Sequence, residues 1–220
     1  MTDEMRAKVE KVMKNLERNK MKPYFCENKE EAQALVKTLI KKGETISCGG
    51  SKTLDETGIY QIINSPDYSF LDRSAPGMTR PEVEEVYRQT FRADTFFMST
   101  NAITENGELY NVDGNSNRVA ALLYGPKSVI VVCGINKIVK NIDEAIKRVK
   151  TIAAPQNTIR LGIETPCGKT GECVSLRKEN PELCDGCHGD TRICCNYVVS
   201  AQQRHIDRIK VIIIGEEYGY

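Results

Sequence analysis

Six of the nine cysteines, Cys167, Cys173, Cys184, Cys187, Cys194 and Cys195, fall in one short stretch of the chain. Thiolates are soft ligands suited to zinc or iron–sulfur clusters. Cys184-Asp185-Gly186-Cys187 forms a CxxC pair whose glycine eases a turn around an ion. The spacing matches neither the bacterial ferredoxin run nor two zinc-type CxxC knuckles. The stretch therefore reads as a metal site, a redox site, or structural thiols that stay reduced or pair on purification. A disulfide framework suits a small secreted domain. Here the N-terminal MTDEMRAKVEKVMKNLERNK is charged throughout and holds no apolar signal segment, so a cytoplasmic location is expected.

A second polar concentration is STNAITENGELYNVDGNSNR at 99–118. Asn101, Glu105, Asp113, Asn117 and Arg118 are candidates for one polar site, with Asn106 and Gly107 at the turn between them. Glu105 is a candidate nucleophile or general base if burial raises its pKa. The competing reading is a routine Asn-Gly hairpin turn that Glu105 merely flanks. A third candidate is Gly49-Gly50-Ser51 in CGGSKTLDETG, between an expected strand and an expected helix. Glycines let a backbone approach a ligand, and free N–H groups at a helix start attract anions. The alternative is a tight turn in which Ser51 caps the helix. Gly168-Lys169-Thr170 resembles the end of a phosphate loop, but Gly162 misses the required spacing by one position. The two histidines, His188 and His205, show no partner pattern for catalysis.

These residues need elements to hold them. Met5, Val9, Val12, Met13 and Leu16 share one helical face. Asn28 with Glu31 and Thr79 with Glu82 are capping-box patterns, and Asn141 with Glu144 caps a helix expected to end at Pro155. Lys52 to Ile63 reads as one helix and Ser116 to Tyr124 as another. Thr45–Cys48, Tyr68–Leu71, Thr95–Ser99, Val129–Val132 and Val211–Ile214 read as strands. Ala102–Thr104 and Leu109–Val112 form an expected hairpin around Asn106-Gly107. Strands alternating with helices predict an α/β fold, a mostly parallel sheet covered by helices on both faces. Ligands of such sheets bind beyond the carboxyl ends of the strands, where the 49–51 and 101–105 strings both follow.

The 220 residues suit one domain, 1–220, with 161–196 as a Cys-rich insertion or excursion. Hydrophobic residues are 40 % and charged residues 28 %, as in globular chains. Lysine plus arginine is 31 against 30 acidic residues, a net charge of +1 that gives no electrostatic case for nucleic acid or an anionic membrane. No apolar run approaches the roughly 18 residues of a membrane span. A homodimer is the general statistical expectation.

Several strings together resemble the LUD-domain family, the lactate-utilisation proteins of bacteria. They are GGSKTLDETGI at 49–59, STNAITENGELYNVDGNSNRVAALLYGP at 99–126, VIVVCGINKIV at 129–139, AAPQNT at 153–158, and PCGKTGEC with CHGDTRICCN at 166–196. The family members most similar in the cysteine segment carry four cysteines, which correspond here to Cys167, Cys173, Cys187 and Cys194. This chain adds the stretch 174–186 and the further Cys184 and Cys195. The resemblance implies a fold similar to the NagB/RpiA/CoA-transferase superfamily. Some CoA transferases there carry a catalytic glutamate in an S-E-N-G string, which Thr104-Glu105-Asn106-Gly107 resembles. It also implies participation in oxidising lactate or a similar organic acid beside iron–sulfur partner proteins, with an iron–sulfur cluster or zinc at the cysteines. Two other functions stay open. One is a stand-alone enzyme on a small carboxylate, phosphorylated metabolite or thioester, using Glu105. The other is a metabolite-binding regulatory module.

Overall fold

Val129, Val131 and Cys133 alternate with Ile130 and Val132 along one strand, and all five are fully buried. A strand buried on both faces needs a helical layer on each side. The computed structural model, which describes residues 1–220, supplies both. In chain order the strands are β1 (Lys22–Cys26), β2 (Thr45–Cys48), β3 (Ser69–Phe70), β4 (Thr95–Met98), β5 (Ala102–Thr104), β6 (Leu109–Asp113), β7 (Ser128–Gly134), β8 (Ile138–Val139), β9 (Asn196–Ser200) and β10 (Ile209–Ile214). The helices are α1 (Asp3–Arg18), α2 (Lys29–Leu39), α3 (Lys52–Glu56), α4 (Ile59–Ile63), α5 (Arg80–Gln89), α6 (Asn117–Leu123), α7 (Ile142–Arg148), α8 (Ala154–Arg160) and α9 (Pro166–Thr170).

The main sheet is all-parallel, in the order β1-β10-β7-β4-β2-β3. On one face Val9, Val12 and Leu16 of α1 and Ala121 and Leu122 of α6 pack over Val129, Val131, Val211 and Ile213. On the other, Ala32 and Val36 of α2 with Leu54, Ile59 and Ile63 cover Ile130, Val132, Ile212 and Ile214. Alternate residues of one strand thus feed two cores, the period-two rule applied to a covered sheet. A smaller sheet, β8-β5-β6-β9, is mixed, with the β5–β6 and β6–β9 pairs antiparallel. The 161–196 segment leaves after α8 and rejoins this sheet at β9. No helix is long and apolar enough to cross a membrane.

Two local expectations are corrected. Lys52 to Ile63 is two short helices, because Gly58 adopts a left-handed φ of 71° between them. The helix capped by Asn141 does not stop at Pro155. It passes through a π-helical turn at Val149–Ala153, and Pro155 sits in the first turn of α8. The wide turn takes up the bonding that the proline nitrogen cannot supply.

Candidate functional site

The carboxyl ends of β2, β4 and β7 open into one cavity of about 400 Å³. That size suits a small metabolite. Gly50 and Ser51 with the first turn of α3, Lys52 and Thr53, form one side, Ser99 to Asn101 the floor after β4, and Val149, Ala153 and Ala154 of the π turn and α8 another wall. Lys52, Arg73, Arg80, Arg118, Lys137 and Arg160 give it six cations against the single carboxylate of Asp113. Some of these charges are already matched. Arg118 pairs with Asp113 at 3.3 Å, Arg80 with Glu84 at 2.8 Å and Lys52 with Glu56 at 3.8 Å. Arg73 lies over the Tyr87 ring, Arg160 donates to the Tyr220 hydroxyl and Asn157, and neither meets a carboxylate.

The sequence reading missed Arg73, Arg80, Arg160 and, most deeply buried, Lys137. It is 3 % exposed, in a 3-10 turn directly after β7. Its Nζ donates to Thr53 Oγ1 and to Ser99 Oγ, both at 2.9 Å. Those hydroxyls have outlets of their own, Thr53 to the Tyr218 carbonyl at 3.3 Å and Ser99 to the Thr100 carbonyl at 3.5 Å. The third position on Nζ has no protein partner, and the residue lines the cavity. Burial pushes the Lys137 pKa down to about 7. Arg148 and Arg118 push the same way, while Cys133 and Glu56 oppose them. The tail 216–220 closes over this turn, since a Cβ on Gly134 would meet the Glu216 carbonyl oxygen at 2.5 Å. Nothing in GINKIV marked a lysine for burial; the signal is its position just past the most apolar strand.

Arg118 is held quite differently. It donates to the carbonyls of Ser99 and Val112, to Oδ1 of Asn101 and Asn111, and to Asp113. Of the residues singled out in the sequence, Gly50, Ser51, Asn101, Asp113, Asn117 and Arg118 do line the cavity. Gly49 does not, but it lets Arg118 approach, because a Cβ there would lie 3.0 Å from Arg118 Cδ. Ser51 also caps α3 by accepting from Leu54 N.

Glu105, Asn106 and Gly107 are elsewhere. The hairpin tip packs on α1: Lys11 pairs with the Glu105 carboxylate at 2.7 Å, and the Asn15 and Asn19 side chains donate to the carbonyls of Glu105, Asn106 and Gly107. Gly107 has a φ of 78°, and a Cβ there would come within 2.7 Å of the Asn15 and Leu16 backbone. The likeness of this string to a CoA-transferase motif does not extend to its placement at the cavity.

A family model for the LUD domain matches residues 9–214. The chain belongs to the LUD-domain family. No curated protein matches this LUD protein. Among solved structures, a DUF162 family protein from Deinococcus radiodurans is similar at 15 % identity and a TM-score of 0.45, over 96 % of this chain and 97 % of that one. The eIF2B beta subunit from Chaetomium thermophilum is similar at 14 % identity and a TM-score of 0.35, over 51 % of this chain and 43 % of that one.

One cysteine of this LUD protein, Cys194, lines the same cavity. Burial raises the Cys194 pKa to about 12, and the neighbouring Cys167, Cys173 and Cys187 add to the shift. Thr165 and Ser175 hydroxyls lie 3.2 and 3.3 Å from the sulfurs of Cys167 and Cys173. Arg192 ties the segment together by donating to the carbonyls of Cys184, Cys187 and Cys194. The four thiols named from the family likeness are therefore neighbours, with Cys184 and Cys195 exposed. No three His, Cys, Asp or Glu side chains converge closely enough to hold a metal ion. Thiolate donors suit an iron–sulfur cluster and zinc alike.

Proposed function

We propose that this LUD protein binds a small organic acid of the lactate type in the cavity and takes part in its oxidation. The observation that carries the reading is the set of cations without a carboxylate partner, Lys137 on the floor and Arg73 and Arg160 on the walls. A carboxylate ligand supplies the missing charge. Oxidising a 2-hydroxy acid to a 2-oxo acid removes two electrons and two protons. In this reading Lys137, poised near neutrality, accepts one proton, solvent takes the other, and an iron–sulfur partner protein accepts the two electrons. An iron–sulfur centre on Cys167, Cys173, Cys187 and Cys194 would supply electron transfer beside the cavity, which iron and labile-sulfide analysis after anaerobic purification tests.

Thermal unfolding with D- and L-lactate, pyruvate, inorganic phosphate and glycerol tests the ligand class. An organic acid at a hundred times its Kd is expected to add about 2.7 kcal/mol, a rise of roughly 5–10 °C for a chain of this size. No shift with any organic acid, or an equal shift with glycerol, would overturn the reading. A larger shift with phosphate would favour a phosphorylated metabolite instead.

The rival site at Glu105 makes a separate prediction. Glu105→Gln should leave the organic-acid shift unchanged and cost at most about 1 kcal/mol of stability, since Lys11 in the pair is largely exposed. Loss of the shift in that variant would return the hairpin to the site.

A further inference from the structure

Lys137 carries more than a charge. In its neutral form a lysine amine has two N–H donors and one lone pair. Here two hydroxyl oxygens, Thr53 Oγ1 and Ser99 Oγ, each stand 2.9 Å from Nζ. Each hydroxyl has a carbonyl to receive its own proton. Both N–H groups are therefore used on the protein, and the lone pair occupies the remaining position of a residue that lines the cavity. An amine held this way is oriented as a nucleophile, and desolvation beside other cations is how proteins keep such a lysine unprotonated.

We propose that Lys137 Nζ condenses with the carbonyl of a 2-oxo acid bound in the cavity, giving a protonated imine and one water. This rests on the reading of the cavity as an organic-acid site and names its covalent chemistry. The lone pair of Nζ forms the N–C bond, and the carbonyl π pair moves to oxygen, which takes up a proton. The resulting carbinolamine transfers a proton from nitrogen to its hydroxyl, breaks the C–O bond and releases water. From the ammonium form the sum is R–NH3⁺ plus a carbonyl going to R–NH⁺=C plus water, with no oxidant or reductant. The Ser99 hydroxyl, within hydrogen-bond reach of Nζ, is placed to relay the proton. Arg73 and Arg160 are the cations left to hold the neighbouring carboxylate. A 2-hydroxy acid has no keto carbonyl and forms no imine, so the site distinguishes the two redox forms of its ligand covalently.

The test is reductive trapping. The full chain is incubated with pyruvate and sodium cyanoborohydride, then read by intact mass and peptide mapping. One reduced pyruvyl group on Lys137 is expected, with none from lactate. Lys137→Arg keeps the cation but cannot form the imine, so it should lose the adduct and keep a thermal shift with pyruvate. No adduct in the wild type, or adducts spread evenly over exposed lysines, would overturn the imine. If pyruvate still shifts the melting temperature in that case, the organic-acid reading survives. If no organic acid shifts it, both fail.

Discussion

Lys137→Met is expected to abolish the organic-acid thermal shift while leaving the ligand-free protein as stable as the wild type or more so. Methionine is close to lysine in length, unbranched and apolar, so it fills the same channel without strain. The change removes two hydrogen bonds, each worth about 1 kcal/mol, and removes the larger cost of burying an amine. At pH 7 the net gain should be about 1–2 kcal/mol, a rise of roughly 3–6 °C in melting temperature. A fall of that size instead would make Lys137 a structural residue.

The pH dependence follows from the same burial. The Lys137 pKa is about 7 in the folded chain against the ordinary lysine value of 10.5. Between these values the unfolded chain binds the extra proton, so wild-type stability rises with pH through that window. The slope is at most about 1.4 kcal/mol per pH unit. Below pH 7 both states carry the proton and the penalty is constant. Lys137→Met lacks this slope, so its advantage over the wild type should shrink between pH 7 and 9. Comparing the two proteins cancels Cys26, raised by burial to about 11, and Cys48 and Cys194, raised to about 12; Cys133, which feels Lys137 directly, titrates near 11, above the pH 7–9 window. Those thiols lower the stability of both chains above pH 9. The charged groups facing Lys137 are Arg148, Arg118 and Glu56, with the Cys133 thiol beside it, and the substitution leaves all of these residues in place.

Five of the six main-sheet strands were legible because their signals are local; the edge strand β1 (Lys22–Cys26) was not read, and it forms by pairing with β10. Thr45–Cys48, Thr95–Met98 and Ser128–Gly134 are short, apolar and bounded by turn residues, and each is a strand where the pattern puts one. Caps at Asn28 and Asn141 accept from Glu31 N and Glu144 N as their spacing predicts. The small sheet was only half legible. Ile138–Val139 and Asn196–Ser200 are too short or too polar to announce themselves, and they become strands only by pairing with β5 and β6. The same divide holds at the site. Asn101, Asp113 and Arg118 were visible as a dense polar string, and they do meet. Lys137 and Arg160 were invisible, because burial and proximity across the sheet are tertiary facts. Glu105 drew attention by motif, yet a motif fixes neighbours along the chain and not across it.

Arg118→Met should be the most destabilising single change at this end of the sheet, by about 3–5 kcal/mol, or roughly 10 °C in melting temperature. The guanidinium is 12 % exposed and its partner Asp113 15 %. Removing it leaves the Asp113 carboxylate, two amide oxygens and the carbonyls of Ser99 and Val112 without that donor. Asn111 suffers most, since its buried Nδ2 already lacks a partner and Arg118 is what grips its other end at 2.7 Å. Arg118→Lys should recover less than half of the loss, because one ammonium reaches Asp113 but cannot span five acceptors as a planar fork does. A loss below about 1 kcal/mol by urea unfolding would show that the surrounding polar groups find other partners. The contrast with Lys137 is the point of making both changes. Arg118 spends its donors on the protein, so its removal is felt in stability first and in binding through the displaced Asn101. Lys137 keeps one position unspent and tolerates truncation. Two cations lining one cavity are thus separable by experiment into the one that builds the site and the one that works in it.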